Sequence, residues 1–375
     1  MKVLITGGAG FIGTNLARRL LHEGCSVAVF DNFSPQVHAG TQELPPDLAG
    51  HVQLWRGDVR DGDAVARALT NRNVVVHLAA ETGTGQSMYE MLRYQDTNIG
   101  GAAVLADYCV NKKSSSIRKV IVASSRAVYG EGKYHCRQHG DVFPRARKMQ
   151  DMKAKRFDPV CPACESACDP VPTPEDSPLH PTSFYGLTKQ VQEQMLSLFA
   201  ETIGLEYWAL RFQNVYGPGQ SLNNPYTGIL AIFSRQAQAN GPIEIFEDGL
   251  ESRDFVYIDD AVDAIWKCIA STGSGVDVLN VGTGRRVTVT EVVHKIVRFF
   301  ESQSQVTVAG AFRQGDIRHN CADLTKIQRV LKFNPQWEFA DGLREFLNWA
   351  SAQIMPESQY DFSLRASRER GLLHG

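Results

Sequence analysis

The sequence has 375 residues, with 39 basic and 41 acidic side chains and a formal net charge of −2. This near-neutral balance predicts no nucleic-acid partner and no attraction to an anionic membrane. No run of about 18 apolar residues and no signal peptide is recognisable, so the eight Cys predict reduced thiols or a metal site. We expect a cytoplasmic protein without a membrane span, large enough for one big domain or two modest ones.

Short apolar runs alternate with stretches of helical periodicity through the first half of the chain. The predicted strands are Lys2–Thr6, Ser26–Asp31, Val52–Arg56, Val74–Ala79, Lys119–Ser124 and Glu206–Arg211. The predicted helices between them are Gly10–Glu23, Asp61–Thr70, Met88–Asn111 and Tyr185–Thr202. Repeated strand–helix units of this kind predict a doubly wound, parallel α/β sheet covered on both faces.

After Phe212 the pattern loosens into shorter elements. The predicted helices are Gly228–Asn240, Asp259–Ala270, Thr290–Glu301, Leu324–Leu331 and Phe339–Ser351, and the predicted strands are Ile243–Phe246, Phe255–Ile258 and Val306–Val308. We expect residues 1–214 to form the sheet domain and 215–375 mainly a smaller C-terminal substrate-binding lobe, with about 253–270 returning to the sheet domain. The last twenty residues form either a docked or a loose tail.

The first strand leads directly into a glycine-rich turn that opens a helix. Gly7 permits the tight turn, Gly10 lets the backbone approach a pyrophosphate, and Gly13 allows close helix–strand packing. The helix start at Phe11 and Ile12 offers free N–H groups to the anion.

An acidic residue, Asp31, ends the second strand and is placed to accept hydrogen bonds from both adenosine ribose hydroxyls. Because its charge repels a 2′-phosphate, the pattern predicts a tightly bound NAD rather than NADP. Asp58 is predicted to accept from the adenine amino group, although capping of the helix Asp61–Thr70 explains it almost as well. The remaining predicted cofactor-binding residues are Asn32, Val59, Leu78, Ala79, Ala80, Asn98 and Ser124.

Tyr185 and Lys189 are four residues apart and therefore share one face of a helix. A neighbouring ammonium and a positively charged nicotinamide both favour the phenolate, which moves the pKa of Tyr185 towards that of a useful general base. Lys189 is also placed to bind the nicotinamide ribose. Ser124 and Ser125 end the fifth strand and supply a hydroxyl near the reacting carbon. Taken alone, the Tyr–Lys spacing is more typical of a solvated helix face.

These residues resemble the extended short-chain dehydrogenase/reductase superfamily, in its nucleotide-sugar epimerase and dehydratase branch. The resemblance runs from Met1 to about Ser351 and extends to four further motifs, Arg211–Pro218, Arg253–Asp260, Gly282–Gly284 and Arg313–His319. It implies a Rossmann-type NAD-binding domain and a nucleotide-diphosphate sugar as substrate.

The resemblance also implies a role for each catalytic residue. Tyr185 is the base, Lys189 modulates it, and Ser125 shares the proton of the sugar O4, while Ser124 faces the cofactor. Removal of this proton drives hydride transfer from C4 to NAD⁺. The 4-keto sugar then rotates and takes the hydride back on its other face, so that the cofactor is regenerated in each turnover.

The substrate residues are assigned in the same way. Arg253 and Arg318 match the diphosphate-binding positions, and Asn214 matches the sugar-phosphate amide, although either Arg could instead pair with a neighbouring acid. Phe246 is expected to pack against the base or in the core, and Tyr129 to contact the sugar, act as a second acid or lie in the core. Thr82, Ser87 and Arg126 belong to the loops expected beside the sugar.

The choice of reaction depends on the turn before Tyr129. Dehydratases of this branch have an Asp–Glu pair there, whereas this sequence has Arg126 and Ala127, and a net reductase would need exchangeable NADPH. The segments Glu81–Glu90 and Ala123–Tyr134 resemble the dTDP-L-rhamnose 4-epimerase group, which interconverts dTDP-L-rhamnose and dTDP-6-deoxy-L-talose for surface polysaccharide. The alternatives are a UDP-hexose or UDP-uronate 4-epimerase, and a non-catalytic NAD-binding regulator.

Family analogy implies a homodimer formed through Met88–Asn111 and Tyr185–Thr202.

An unusually long connection, about 131–180, separates Tyr129 from Tyr185 and carries half of the Cys. Two pairs of metal-ligand residues with two-residue spacers, Cys136/His139 and Cys161/Cys164, predict a structural zinc site. The alternative is a lid with reduced thiols. In either case the insertion is expected to cover the sugar pocket.

Overall fold

The computed structural model describes residues 1–112, 116–222, 224, 228–272, 275–353 and 360–375. The strands are β1 Lys2–Thr6, β2 Ser26–Asp31, β3 Gln53–Arg56, β4 Val74–His77, β5 Lys119–Ser125, β6 Tyr134–Cys136, β7 Gly140–Val142, β8 Asp169–Pro170, β9 Glu206–Phe212, β10 Asn214–Tyr216, β11 Ile243–Ile245, β12 Ser252–Arg253, β13 Phe255–Tyr257, β14 Val276–Val281, β15 Val287–Thr288, β16 Val306–Val308, β17 Phe312–Arg313 and β18 Leu373–His374. The helices are α1 Phe11–His22, α2 Pro35–His38, α3 Gly62–Leu69, α4 Thr84–Ser87, α5 Met91–Tyr94, α6 Gly101–Asn111, α7 Met149–Lys153, α8 Phe184–Ile203, α9 Ile229–Gln238, α10 Ile258–Ala270, α11 Val289–Phe299, α12 Thr325–Leu331, α13 Phe339–Ser351 and α14 Tyr360–Glu369.

A seven-stranded parallel sheet forms the centre of the molecule, in the order β14-β9-β5-β4-β1-β2-β3. Neighbouring side chains of each strand point to opposite faces, so Ile5 packs with α1 and α10, whereas Leu4 packs with α3, α6 and α8. Both faces are therefore buried, which explains the nearly continuous apolar strands. The predicted Rossmann-type α/β fold is confirmed.

The return of the chain to this sheet differs from the sequence prediction. Phe255–Ile258 does not rejoin it, because β13 pairs with β10 in a separate two-stranded sheet. The following helix, α10, packs on the central sheet, and the seventh strand is β14, which pairs with β9. The polar residues Asp277 and Asn280 interrupt the apolar pattern of β14, so this strand was not predicted.

The region predicted as one helix, Met88–Asn111, consists of α5, a π-helical turn at Gln95–Gly100 and α6.

Within the insertion, β6, β7 and β8 form a small antiparallel sheet. The C-terminal tail is docked, because β18 pairs with β17 and Leu373 is buried. In the described part of the chain, no helix has the length and apolar character required to cross a membrane.

Candidate active site

A cleft of about 460 Å³ lies at the carboxyl ends of the central strands, a volume typical of small-molecule sites. The strand order reverses between β1 and β4, and open α/β sheets bind ligands at such a point. Most of the predicted cofactor-binding residues line this cleft, namely Gly7, Gly10, Phe11, Ile12, Gly13, Asp31, Asn32, Val59, Leu78, Ala79, Ala80, Ser124, Tyr185 and Lys189.

The glycine turn at the base of the cleft leaves no room for side chains. Gly7 has a positive φ of 66°, and a Cβ there would lie 2.7 Å from the backbone nitrogen of Ala79. A Cβ on Gly13 would lie 2.6 Å from the carbonyl oxygen of Gly7. Gly10 is the N-cap of α1 and provides no side-chain cap. This turn and the helix N-terminus therefore present backbone N–H groups to an anion in the cleft.

Asp31 is buried at the end of β2, beside the glycine turn. Its carboxylate accepts hydrogen bonds from the backbone nitrogens of Ala9, at 3.0 Å, and Phe33, at 2.9 Å. The Nε2 atom of His38 lies 3.4 Å from the same carboxylate. His38 lines the cleft but was not predicted, because a single His in a polar loop carries no pattern.

Two residues predicted to bind the cofactor do not line the cleft. Asp58 forms a salt bridge with Arg60 at 2.8 Å, which lowers the pKa of its carboxyl to about 2. The alternative role of Asp58 as a helix cap is also incorrect, since Asp61 caps α3. Asn98 is buried, accepts a hydrogen bond from the backbone of Glu81 and donates one to Thr188, so it joins the loop after β4 to α8.

The three predicted catalytic residues meet at the same edge of the cleft. Ser125 ends β5, and its side chain is hydrogen-bonded to that of Tyr185 near the start of α8. One turn later, the Nζ of Lys189 donates to the carbonyl oxygen of Ala123 at 2.8 Å and to Oε1 of Gln192 at 3.0 Å. These two hydrogen bonds hold the Lys189 ammonium in place beside the end of β5, the strand that carries Ser124 and Ser125.

Local packing brings the start of α8 close to this strand end. Gly186 faces the turn after Ser125, and a Cβ on Gly186 would lie 2.5 Å from the carbonyl oxygen of Ala127. Ser183 caps α8 by accepting from the backbone nitrogen of Gly186 at 3.1 Å. Ser87, which was predicted to bind substrate, is buried and accepts from the backbone nitrogen of Tyr185 at 2.9 Å. It therefore positions Tyr185 and does not line the cleft.

Burial and charge act on the catalytic residues in opposite directions. Burial raises the pKa of Tyr185, whereas the hydrogen bond with Ser125 and the charge of Arg126 lower it. Burial lowers the pKa of Lys189 to about 7. Arg126 is therefore the cation that acts on the Tyr185 phenol in this structure, a role that the sequence analysis gave to Lys189 and the nicotinamide.

Four of the predicted substrate residues line the cleft on the side of Tyr185, namely Thr82, Ser125, Arg126 and Asn214. The Nε of Arg126 donates to Oδ1 of Asn214 at 3.1 Å, which links the turn after β5 to β10. Burial, followed by the charge of Arg253, lowers the pKa of Arg126 to about 9, so Arg126 is protonated at neutral pH.

Tyr129 lies in the core and does not line the cleft, in agreement with the core alternative. It is 1% exposed, donates a hydrogen bond to Asn280 at 2.7 Å and accepts one from Arg211 at 2.9 Å. Arg211 also pairs with the buried carboxylate of Glu193, which in turn accepts from Ser124 at 2.7 Å. This buried network supports the strand end that carries both serines.

The assignment of Arg318 to the substrate diphosphate is corrected by its surroundings. The side chain is 1% exposed, and its guanidinium pairs with Asp158 and Asp248 at 2.7 Å and with Glu247 at 2.9 Å. These three carboxylates, with that of Glu251 at 3.7 Å, surround the guanidinium, so its charge is already balanced and is not offered to a phosphate.

Arg253 and Phe246 are also absent from the cleft lining. Arg253 is partly buried and donates to the backbone carbonyls of Ser252, Ile317 and Arg318 at 2.9 Å. Phe246 packs beside the docked C-terminal tail, with the guanidinium of Arg313 4.8 Å from its ring centre. In this structure both residues thus contact other segments of the C-terminal half of the chain and not the cleft.

Besides His38, the sequence analysis missed other polar residues of the cleft, among them Gln213 and Asn224. Gln213 lines the cleft and is buried, and neither polar atom of its amide has a hydrogen-bond partner among the described residues. Its position between two strands with an otherwise apolar pattern is a signal that could have identified it. Asn224 is buried and also lines the cleft, and the sequence around it has no periodic signal.

The fold and the cleft define a Rossmann-type dinucleotide-binding enzyme with a Ser–Tyr–Lys site. The family described as the NAD dependent epimerase/dehydratase family matches residues 3–147 and 160–282. The chain belongs to this family. The gap between the two matched regions falls within the insertion.

Individual relatives match more than nine-tenths of the chain. A dTDP-L-rhamnose 4-epimerase from Burkholderia thailandensis is 37% identical over 359 residues, which cover 94% of this chain and 96% of that protein. The crystal structure of UDP-glucose 4-epimerase from Thermotoga maritima, with UDP-glucose, has a TM-score of 0.76 and 29% identity, covering 93% of this chain and 98% of that one. The UDP-glucose 4-epimerase of Thermus thermophilus, in complex with NAD, has a TM-score of 0.73 and 27% identity, covering 94% and 100%. The predicted family and the prediction of an epimerase are confirmed.

Proposed function

We propose that this enzyme interconverts dTDP-L-rhamnose and dTDP-6-deoxy-L-talose by epimerisation at C4, with NAD held tightly in the cleft. The observation that carries this proposal is the 37% identity to the Burkholderia dTDP-L-rhamnose 4-epimerase over 94% of this chain. The presence of Ser125, Tyr185 and Lys189 in the lining of one cleft supports the same chemistry. We place the reaction in the cytoplasm, where thiols such as these stay reduced, and in the synthesis of surface polysaccharide.

The residues present fit NAD. The turn through Gly7, Gly10 and Gly13 would hold the pyrophosphate, and Asp31 the adenosine ribose. The unpartnered amide of Gln213 provides a donor and an acceptor inside the cleft, and Lys189 retains donor capacity for the nicotinamide ribose. When bound, NAD supplies the hydride acceptor for C4 and the donor that returns the hydride to the opposite face.

The proton chemistry belongs to Tyr185 and its neighbours. The Tyr185 phenolate accepts the proton of the sugar O4 and returns it at the end of the reaction. Ser125 is hydrogen-bonded to the phenol and is placed to share this proton with the sugar oxygen. The positive charge of Arg126 stabilises the phenolate, against the burial that opposes it.

The acidic residues of the cleft favour epimerisation over dehydration. Elimination of water across C5 and C6 requires an acid and a base beside the sugar. Among the described residues that line the cleft, the carboxylates are Asp31 and Glu81. Asp31 lies at the adenosine end, and the Glu81 carboxylate is paired with Arg93 at 2.8 Å. Neither is therefore placed as a free base at C5.

Proton NMR of the enzyme with dTDP-L-rhamnose, without added reductant, tests this proposal. We expect the talo-configured sugar to appear and reach a stable equilibrium ratio, because the cofactor is regenerated in each turnover. An unchanged spectrum from protein shown to carry NAD would refute this substrate. The same assay with UDP-hexoses and UDP-uronates then tests the alternative substrates, which the UDP-glucose 4-epimerase structures support.

We also propose a homodimer formed through α5, α6 and α8. Large apolar side chains are exposed on these helices, with Leu92 on α5 exposed at 74% and Leu198 on α8 at 68%. Val110 on α6 is exposed at 49%. Exposed apolar side chains that recur on neighbouring helices are typical of a subunit interface.

Substitution of both Leu92 and Leu198 by Asp is expected to convert the dimer to a monomer, because two charges would have to be buried in the interface. Size-exclusion chromatography with light scattering measures the mass directly. Leu250→Asp is the matched control, since Leu250 is exposed at 55% and belongs to the connection between β11 and β12, not to these helices. A wild-type protein with the mass of one chain would contradict the proposal.

A further inference from the structure

The insertion brings four potential metal ligands together. These are the Sγ atoms of Cys136, Cys161 and Cys164 and a ring nitrogen of His139, all within 4.8 Å of one another. Cys136 Sγ lies 3.7 Å from Cys164 Sγ and 3.7 Å from His139 Nδ1, and Cys161 Sγ lies 3.6 Å from His139 Nδ1. The two ligand pairs come from segments more than twenty residues apart in sequence, so the fold of the insertion creates this cluster.

These distances fit a tetrahedral zinc ion. Zn–S bonds are about 2.3 Å long, so two sulfur ligands of a tetrahedron lie about 3.8 Å apart. A disulfide would require about 2.05 Å between the sulfur atoms, and all four Cys of this segment, including Cys168, are free. The four ligand atoms are the number that one tetrahedral ion requires. Three thiolates and one imidazole form a donor set that is typical of structural zinc.

The backbone around the ligands forms two tight turns. Cys136 ends β6 and His139 lies in the hairpin that connects β6 to β7. On the other side, the backbone nitrogen of Glu165 donates to the carbonyl oxygen of Cys161 at 2.9 Å, and Cys161 donates to Ser166 at 2.8 Å. Each turn thus presents two ligands towards the other, and both Cys136 and Cys161 are buried.

We propose that Cys136, His139, Cys161 and Cys164 bind one structural Zn²⁺, which fixes the insertion against the substrate-binding lobe. None of these four residues lines the cleft, so the ion has no part in the proton or hydride chemistry. Zinc binding links the two turns and so joins the ends of the loop between them. Residues of that loop contact the substrate-binding lobe.

The contacts of this loop explain what the ion stabilises. Asp158, three residues before Cys161, accepts from Nε of Arg318 at 2.7 Å, and Phe157 packs against Phe312 with ring centres 6.4 Å apart. Arg147, in the same loop, pairs with Glu247 at 2.8 Å. Ordering of the loop by zinc therefore lowers the entropy cost of these contacts with the lobe.

Metal analysis of protein purified without chelator is the first test. We expect about one zinc per chain, and less than about a tenth of an equivalent would overturn the proposal. Replacement of the zinc by Co²⁺ is expected to give the visible absorption of tetrahedral thiolate coordination. Absence of that absorption in a protein that has taken up cobalt would refute the ligand set.

A double variant, Cys161→Ser with Cys164→Ser, is expected to lose the zinc. Cys168→Ser is the matched control, because Cys168 lies beside the cluster but is not one of its four ligands, so the zinc content should stay unchanged. If the double variant does not fold, His139→Asn with His135→Asn as its control gives the same comparison from the other turn. Zinc retained by a folded ligand variant would overturn the assignment.

The stabilising role of the zinc ion is tested separately from zinc binding, by measuring KM for the nucleotide sugar. Metal-free protein is expected to retain bound NAD but to show a higher KM for the nucleotide sugar. Without zinc, the insertion no longer stabilises the substrate-binding lobe, whereas the glycine turn that holds NAD does not depend on the insertion. An unchanged KM in folded, zinc-free protein would overturn this role.

Discussion

Tyr185→Phe is expected to reduce turnover by about 10³-fold or more while NAD remains bound. The substitution removes the oxygen that accepts the O4 proton and leaves the aromatic ring, so packing at the start of α8 is preserved. Turnover is measured by the NMR assay, and bound NAD by its release from denatured protein.

Tyr134→Phe is the matched control for this loss. Tyr134 is buried in the insertion, and its hydroxyl has no hydrogen-bond partner among the described residues. The same chemical change there should leave both turnover and NAD content near those of the unmodified enzyme. Turnover retained in Tyr185→Phe would refute the base assignment, and loss of NAD from that variant would mean that the phenol mainly supports the cofactor site.

The central sheet and the first turn could be predicted from the sequence because their signals are local. The strands β1, β2, β4 and β5 each contain an uninterrupted run of at least three apolar residues, and the spacing of Gly7, Gly10 and Gly13 describes one turn of backbone. The strand β14 lacked such a run because Asp277 and Asn280 interrupt it. Its place in the sheet is determined by pairing with β9, which is distant in sequence.

The substrate side could not be predicted with the same accuracy, because its interactions connect distant segments. Arg318 matches a phosphate-binding motif, yet its charge is neutralised by Asp158 in the insertion and by Glu247 and Asp248 in the lobe. Nothing in the local sequence of Arg318 indicates these partners. The four-ligand cluster is the opposite case, since the paired spacings of Cys and His are themselves local signals.

The charge of Arg126 should set the pH at which Tyr185 becomes active. Arg126 lowers the pKa of the Tyr185 phenol, so removal of its charge raises this pKa. Because the phenolate is the active base, activity increases as the pH rises through the pKa of Tyr185. In Arg126→Gln, the ascending limb of kcat/KM against pH should therefore move to higher pH, by about one unit. At neutral pH this corresponds to a loss of about tenfold in kcat/KM.

Arg126→Lys separates this charge effect from binding. A lysine keeps the positive charge at pH values below its own pKa, which burial lowers as it does for Arg126, and in that range the ascending limb of kcat/KM should stay near that of the unmodified enzyme. It lacks the planar guanidinium that donates to Asn214, so KM for the nucleotide sugar should rise. If the ascending limb does not move in Arg126→Gln and only KM changes in both variants, the electrostatic role is contradicted. Arg126 would then be a substrate-binding residue only. If the ascending limb moves in Arg126→Gln but not in Arg126→Lys, the pKa of Tyr185 depends on a cation beside the phenol. The two variants differ at this position chiefly in charge.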